Sequence, residues 1–123
     1  MSLFQPTTAK IEKWKAEGRT NKIVKALDEG LYNIRVAAIR ALGELKDQSA
    51  YNTIQKYIDD KLEIVSIEAI LSIQNFVLND EIIDKIVDKL WEWEDEREDL
   101  LRRRKIFKEK QENKQSSSIY KTK

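Results

Sequence analysis

The chain has 123 residues, with 23 basic and 22 acidic side chains, and neither histidine nor cysteine. Its net charge of +1 produces no global field that would attract nucleic acid or an anionic membrane. Without imidazole or thiolate groups the usual zinc, copper and haem sites cannot form, nor can Ser–His or Cys–His catalytic pairs. We therefore expect no metal and no cofactor. No apolar run is long enough to span a bilayer and no export signal is recognisable, so a cytoplasmic protein is expected.

The first five predicted helices are separated by the few residues that start or stop helices. Pro6 precedes the first helix, Gly18 ends it, and Gly30 ends the second. The caps predicted for the second, third and fourth helices are Thr20 or Asn21, Asn33, and Ser49. The third, fourth and fifth helices are predicted from Ile34 to Lys46, from Ser49 to Asp60, and from Glu63 to Leu78. The connections are short, so successive helices are expected to pack antiparallel.

The apolar positions of these helices repeat with a spacing of 31 residues. The matched pairs are Ile23/Ile54, Leu27/Ile58, Leu31/Leu62, Ile34/Val65, Ala38/Ala69, Ile39/Ile70 and Leu42/Ile73. A fixed repeat of this length is typical of a solenoid, in which stacked helix pairs bury a shared core. The sequence therefore predicts an all-α fold, a short α-solenoid of antiparallel helix pairs over residues 1–111 with a long C-terminal capping helix.

The C-terminal third of the chain departs from this repeat. Asn79 or Asp80 is predicted to cap a sixth helix, and no glycine or proline interrupts the sequence that follows. Residues 80–111 therefore form either one long helix, the interpretation we adopt, or two helices with a turn near Glu94. Residues 112–123 have too little apolar content to order themselves, and we expect a disordered polar tail.

One stretch of the chain resembles the second helix of HEAT repeats: Ile34-Arg35-Val36-Ala37-Ala38-Ile39-Arg40-Ala41-Leu42-Gly43-Glu44-Leu45-Lys46-Asp47. It is most similar to the short bacterial HEAT-like repeats that are also seen in phycobilisome lyases. Ala38 and Ala41 are expected to let neighbouring helices approach closely, and Gly43 to permit tight contact near the helix end. The second copy differs in three places: Ser66 for Arg35, Ser72 for Ala41 and Gln74 for Gly43. The resemblance implies the fold of these proteins, and it does not imply a lyase activity.

In a solenoid of this kind the second helix of each pair lines the concave side. Val36 and Arg40 then match Ile67 and Leu71 beside the core-facing positions. One interpretation is that Ile67 and Leu71 pack against the sixth helix. The other is that a groove binds a helix or an extended peptide of a protein partner. That predicted groove consists of Val36, Arg40, Ile67, Leu71, Gln74 and Asn75.

The sixth helix carries two tryptophans that cannot both point inward, because they are two residues apart. Trp93 continues the apolar face and is predicted to be buried. Trp91 is then exposed, and an exposed tryptophan beside acidic residues is a candidate anchor for a partner.

A basic cluster follows on the same helix: Arg102, Arg103, Arg104, Lys105 and Lys108. Acid–base pairs four residues apart, such as Asp99 with Arg103, indicate an exposed helix surface. The alternatives are phosphate binding and self-association, since the acidic block before the cluster complements it when two copies lie antiparallel. In the dimer Leu100, Leu101 and Phe107 would supply apolar contact. In a competing arrangement Leu101 and Phe107 fold back onto their own chain.

Together these patterns predict a non-catalytic module that binds a protein or peptide partner through the groove of second helices. The alternative is a small nucleic-acid-binding protein that uses the basic C-terminal segment, and this is the less expected of the two. A homodimer through the C-terminal helix is also predicted.

Overall fold

The computed structural model describes the backbone of residues 6–121 and the side chains of residues 6–114. Its helices are α1 (Thr8–Ala16), α2 (Thr20–Glu29), α3 (Tyr32–Leu45), α4 (Tyr51–Tyr57), α5 (Glu63–Ile73) and α6 (Asp80–Lys121). A short 3-10 helix, Gln48–Ala50, precedes α4. No strand occurs within the residues described, and the predicted all-α fold is confirmed. The chain forms two compact units, residues 1–89 and residues 90–123.

Several helix ends follow directly from local sequence. The side chain of Thr7 caps α1 by accepting a hydrogen bond from the backbone N–H of Lys10 at 3.2 Å. Gly18 has a positive φ of 67°, a left-handed conformation that favours glycine and lets the chain turn into α2. The side chain of Asn79 accepts a hydrogen bond from Ile82 at 2.9 Å, which confirms the predicted start of α6.

Other helix ends differ from the prediction. The caps predicted for α2 and α3 are wrong, because neither helix start has a side-chain hydrogen bond. Asp47 rather than Ser49 caps the segment before α4, and its carboxylate accepts a hydrogen bond from the Ser49 backbone at 3.0 Å. This bond lowers the pKa of Asp47 below its usual value. Helix α5 ends at Ile73, earlier than the predicted Leu78.

Two helix pairs stack within the first unit. Helix α2 packs against α3, α4 packs against α5, and α3 lies beside α5. Helix α1 contacts both α2 and α3, so it extends the row of second helices by one. The core that these helices share includes Ile11, Ile23, Leu27, Ile39, Leu42, Ile54, Ile58, Val65 and Ile73, all of which are fully buried. Most apolar pairs of the 31-residue register are thus buried, whereas the pair Leu31 and Leu62 is exposed, at 75% and 46%.

The two second helices approach each other closely at Gly43 of α3. A Cβ atom on this residue would lie 2.7 Å from the Cβ and 3.0 Å from the Cα of Ser72 on α5. Real Cβ atoms essentially never come so near another heavy atom, so the approach requires glycine on α3 and a small residue on α5. The tight contact expected at Gly43 is present.

Helix α6 is continuous from Asp80 to Lys121, so the prediction of one long helix is confirmed and a turn near Glu94 does not form. Two acidic residues in the first turn, Asp80 and Glu81, favour its start because they face the positive end of the helix dipole. The backbone is helical over residues 112–121, where we expected disorder. This stretch contains lysine, glutamate and glutamine, which are good helix formers, and no glycine or proline. A domain boundary after residue 111 stays a prediction.

Helix length and polarity can also be compared with the thickness of a bilayer. Across the described part of the chain, no helix combines the length and the apolar character needed to cross a membrane.

Candidate functional site

Helices α1, α3 and α5 present one shared outer face in the first unit, which we call the α1/α3/α5 surface. On each helix the outward side chains are three or four residues apart, so they lie on one side. The surface consists of Glu12 and Lys15 from α1, Val36, Ala37, Arg40 and Glu44 from α3, and Ile64, Ile67, Glu68 and Leu71 from α5.

The apolar part of this surface lies on α5. Ile64 is 55% exposed and Leu71 is 58% exposed, and the half-buried Ile67 lies between them in sequence. On α3 the half-buried Val36 also packs against the core. Leu71 is therefore not buried beneath the sixth helix, and this interpretation is wrong for that residue. Helix periodicity places Val36 of α3 on the same outer side as Arg40, whose partner Glu68 lies between Ile67 and Leu71 on α5. A groove formed by these residues stays a prediction.

Ion pairs cross this surface from helix to helix. The guanidinium Nε of Arg40 on α3 donates a hydrogen bond to Glu68 Oε1 on α5 at 2.8 Å. Lys15 on α1 pairs with Glu44 on α3. One ion pair thus joins α1 to α3, and the other joins α3 to α5.

The charges around Arg40 stabilise its charged form. Its hydrogen bond to Glu68 raises the pKa of Arg40 above the ordinary value, and the charges of Glu68, Glu44 and Glu12 act in the same direction. The hydrogen bond to Glu44 likewise raises the pKa of Lys15. Both cations are already neutralised by partners in the chain, so the surface presents apolar side chains rather than free positive charge.

The two amide side chains that we assigned to the groove are engaged in the fold. Asn75 Nδ2 donates to the backbone carbonyl of Gly43 at 3.1 Å, and so ties the end of α5 to the end of α3. Gln74 Nε2 donates to the carbonyl of Ile70 at 3.0 Å, near the C-terminus of its own helix. These bonds give Gln74 and Asn75 a structural role at the edge of the surface.

Among the surface residues that were missing from the sequence-based site, Ile64 and Glu68 lie on α5. The signal for Ile64 was present, because it stands in the 31-residue register with the outward residue Asn33 and precedes Ile67 by three. Glu68 occupies the position of Ala37 in the first copy. Nothing in a single sequence indicates that its carboxylate reaches Arg40 on the neighbouring repeat.

Arg35 has its own structural partners. Its Nε donates to the Gly30 carbonyl at 3.2 Å, and its Nη1 lies 3.6 Å from a carboxylate oxygen of Asp60. Arg35 therefore connects the loop inside the first helix pair to the loop inside the second.

The remaining predicted site residues lie on α6 in the second unit. Trp91 is 61% exposed as predicted, and Trp93 is buried.

The side chains of the basic cluster are all exposed: Arg102, Arg103, Arg104, Lys105 and Lys108. Arg103 Nε pairs with Asp99 at 3.0 Å, which is the predicted contact four residues apart. Leu101 and Phe107 are 58% and 64% exposed, so they are not folded back onto the chain.

Within the part of the chain that the structure describes, no group of three or more histidine, cysteine, aspartate or glutamate side chains is arranged to hold a metal ion.

Stacked antiparallel helix pairs with a continuous row of second helices define the protein as an α-solenoid. The HEAT repeats family matches residues 20–106, most of the chain, so this protein belongs to the HEAT-repeat family. Repeats of this family generally mediate protein–protein interaction, and the family is typically a non-enzymatic scaffold. No curated protein and no solved structure matches the sequence.

Proposed function

We propose that the protein is a non-catalytic binding module that holds a protein partner on its α1/α3/α5 surface. The observation that carries this proposal is the exposed aliphatic row on α5, where Ile64 and Leu71 are each more than half exposed. Residues at this spacing point to the same side of a helix and form a ridge. Such a ridge loses contact with water when a complementary apolar segment covers it, and this supports association.

The surface chemistry favours an amphipathic helix or an extended peptide as the bound segment. The aliphatic row offers contacts for apolar side chains spaced along one face of a helix. The neighbouring Arg40–Glu68 pair offers both a donor and an acceptor at the rim, and Arg40 is 59% exposed in its side chain. Polar groups at a rim set orientation more than affinity. The cytoplasm is our proposed location.

Nucleic-acid binding through the basic cluster is supported less well. Arg103 is paired with Asp99, and an acidic block directly precedes the cluster on the same helix. Phosphate binding depends on releasing counterions from uncompensated cations, and nearby carboxylates oppose it.

Selection of peptides on the whole protein tests the proposed surface. Random peptides displayed on phage are selected on the immobilised wild-type chain, and the affinity of each enriched peptide is then measured by fluorescence anisotropy. We expect the double variant Ile64→Asp/Leu71→Asp to weaken binding at least ~10-fold, because apolar contacts at the centre of an interface carry much of its affinity. Both side chains are already exposed, so the variant should keep its thermal stability and helical circular dichroism.

The matched control carries two aspartates elsewhere in the first unit. Leu31 and Val77 are exposed aliphatic residues, and both lie outside the described helices. We expect Leu31→Asp/Val77→Asp to bind the same peptides as the wild type. Equal binding by both double variants would overturn the surface assignment. Tight binding of duplex DNA that weakens steeply with salt would instead favour the basic cluster.

A further inference from the structure

From residue 100 to residue 114, helix α6 carries apolar side chains that no other described part of the chain covers. Every described side chain from residue 100 to residue 114 is exposed, including Leu100 (63%), Leu101 (58%) and Phe107 (64%). Protein helices gain most of their stability from covering an apolar face, so a solitary helix with this composition is marginal in water. The geometry therefore indicates a binding surface on α6, separate from the α1/α3/α5 surface of the first unit.

The charge pattern of α6 indicates what covers this face. Residues 92–99 contain six acidic side chains and a single basic one, and residues 102–110 contain six basic side chains and a single acidic one. A parallel copy of the helix would place like charges together, whereas an antiparallel copy places the acidic block against the basic block. Like charges in contact are destabilising, so only the antiparallel arrangement is complementary.

We infer that α6 forms an antiparallel pair with α6 of a second copy of this chain, and that the two helices cross at Leu101. The crossing point follows from the sequence, because Leu101 lies between the two charged blocks. Glu94 and Lys108 lie two helical turns before and after Leu101 and share its face. In the pair, Glu94 of each copy meets Lys108 of the other.

Leu100 and Phe107 supply the apolar contact beside this crossing. They are also two turns apart and share one side of the helix, which lies roughly 100–120° around the helix from Leu101. Exposed ion pairs contribute little each, so the aliphatic and aromatic side chains provide the affinity while the charges set the direction. The same helix would therefore dimerise more weakly as salt screens its charged blocks.

Disulfide trapping tests the direction and the crossing point, because the wild-type chain contains no cysteine. Three single variants are made in the full chain: Glu94→Cys, Leu101→Cys and Lys108→Cys. On mild oxidation we expect Leu101→Cys to form a covalent homodimer. Glu94→Cys and Lys108→Cys should each stay largely monomeric alone and should form a heterodimer when mixed. Ile106→Cys, on the opposite side of the helix from Leu101, is the negative control.

The trapping results distinguish the possible arrangements. Homodimers from Glu94→Cys alone and from Lys108→Cys alone would show a parallel pair and overturn the inference. Equal trapping of all four variants would show random collision and would overturn it as well.

Sedimentation equilibrium on the cysteine-free chain supplies an independent measurement. We expect dimers at micromolar concentration and low salt, and a dissociation constant that rises in high salt. Leu101→Asp should weaken the dimer by more than ~10-fold, since covering a leucine contributes on this scale. A wild-type chain that stays monomeric at high micromolar concentration and low salt would overturn the inference. The Ile64→Asp/Leu71→Asp variant should still dimerise, so failure here is distinguishable from failure of the proposed peptide-binding surface.

Discussion

The two helix pairs, α2–α3 and α4–α5, have nearly the same interior and different exteriors. Their buried positions match as Ile34/Val65, Ala38/Ala69, Ile39/Ile70 and Leu42/Ile73. Their outward positions differ as Asn33/Ile64, Ala37/Glu68 and Arg40/Leu71. Stacking requires similar side-chain volumes at the buried positions, whereas the outward positions are half-buried or exposed and accept different side chains. The apolar surface on α5 is therefore a property of the second pair alone.

The largest expected effect tests whether the interiors are equivalent. Ala38 and Ala69 are fully buried at matched positions, so Ala38→Leu and Ala69→Leu should each lower the free energy of unfolding by roughly 1–3 kcal/mol through overpacking. Urea unfolding followed by circular dichroism measures both. Ala37→Leu, on the half-buried outer side of α3, is the control and should change stability little. If Ala38→Leu and Ala69→Leu lowered the free energy of unfolding by very different amounts, the interiors of the two helix pairs would not be equivalent.

A second effect concerns a position where the pairs differ, Gly43 in α3 and Gln74 after α5. Gly43→Ala should lower the free energy of unfolding by about 1–2 kcal/mol, because the clash with Ser72 outweighs the better helix propensity of alanine. Gln74→Ala should cost less than Gly43→Ala, since the exposed Gln74 side chain loses only its hydrogen bond to the Ile70 carbonyl. Adding Ser72→Gly to Gly43→Ala removes the Ser72 Cβ, the nearest of the clashing atoms, and a double-mutant cycle should show favourable coupling. If the free-energy costs of Gly43→Ala and Ser72→Gly simply add, the close contact between these two residues is contradicted.

A third effect comes from the register pair Arg35 and Ser66. The Ser66 hydroxyl donates to the Ile58 carbonyl at 2.6 Å and is fully buried, so Ser66→Ala should cost about 1 kcal/mol. Arg35→Ala should cost less, because the Arg35 side chain is 36% exposed and the Asp60 carboxylate keeps its hydrogen bond from the Leu62 backbone N–H. The thermal unfolding temperatures of the two variants show which substitution costs more stability. A larger loss of stability in Arg35→Ala than in Ser66→Ala would contradict this prediction.

The smallest expected effect concerns the Arg40–Glu68 ion pair, which joins the outer sides of α3 and α5. A double-mutant cycle with Arg40→Gln and Glu68→Gln should give a coupling of ~0–1 kcal/mol, since Arg40 is largely exposed. The coupling should shrink as salt is added, because the charges are screened. Coupling that is unchanged in high salt would mean that the contact depends on hydrogen bonding more than on charge.

Several features of the fold could be predicted from the sequence because they depend on residues that are close together along the chain. The spacing of apolar residues predicted which side chains of α3 and α5 are buried, since a helix places every third or fourth residue on one face. The absence of glycine and proline after Asp80 predicted an uninterrupted α6. Exposure of Trp91 and burial of Trp93 follow from the same geometry.

The sequence by itself thus determined the helices, their pairing and the buried register, because helix periodicity and apolar burial are local and repeated signals. Only the tertiary structure decided that Arg40 meets Glu68, that Asn75 binds the Gly43 carbonyl, and that Leu71 stays exposed. Each of these depends on how far one helix is shifted and rotated against a helix of the next pair. That offset results from the close approach at Gly43 and Ser72, where a difference of one methylene group changes the distance between whole helices.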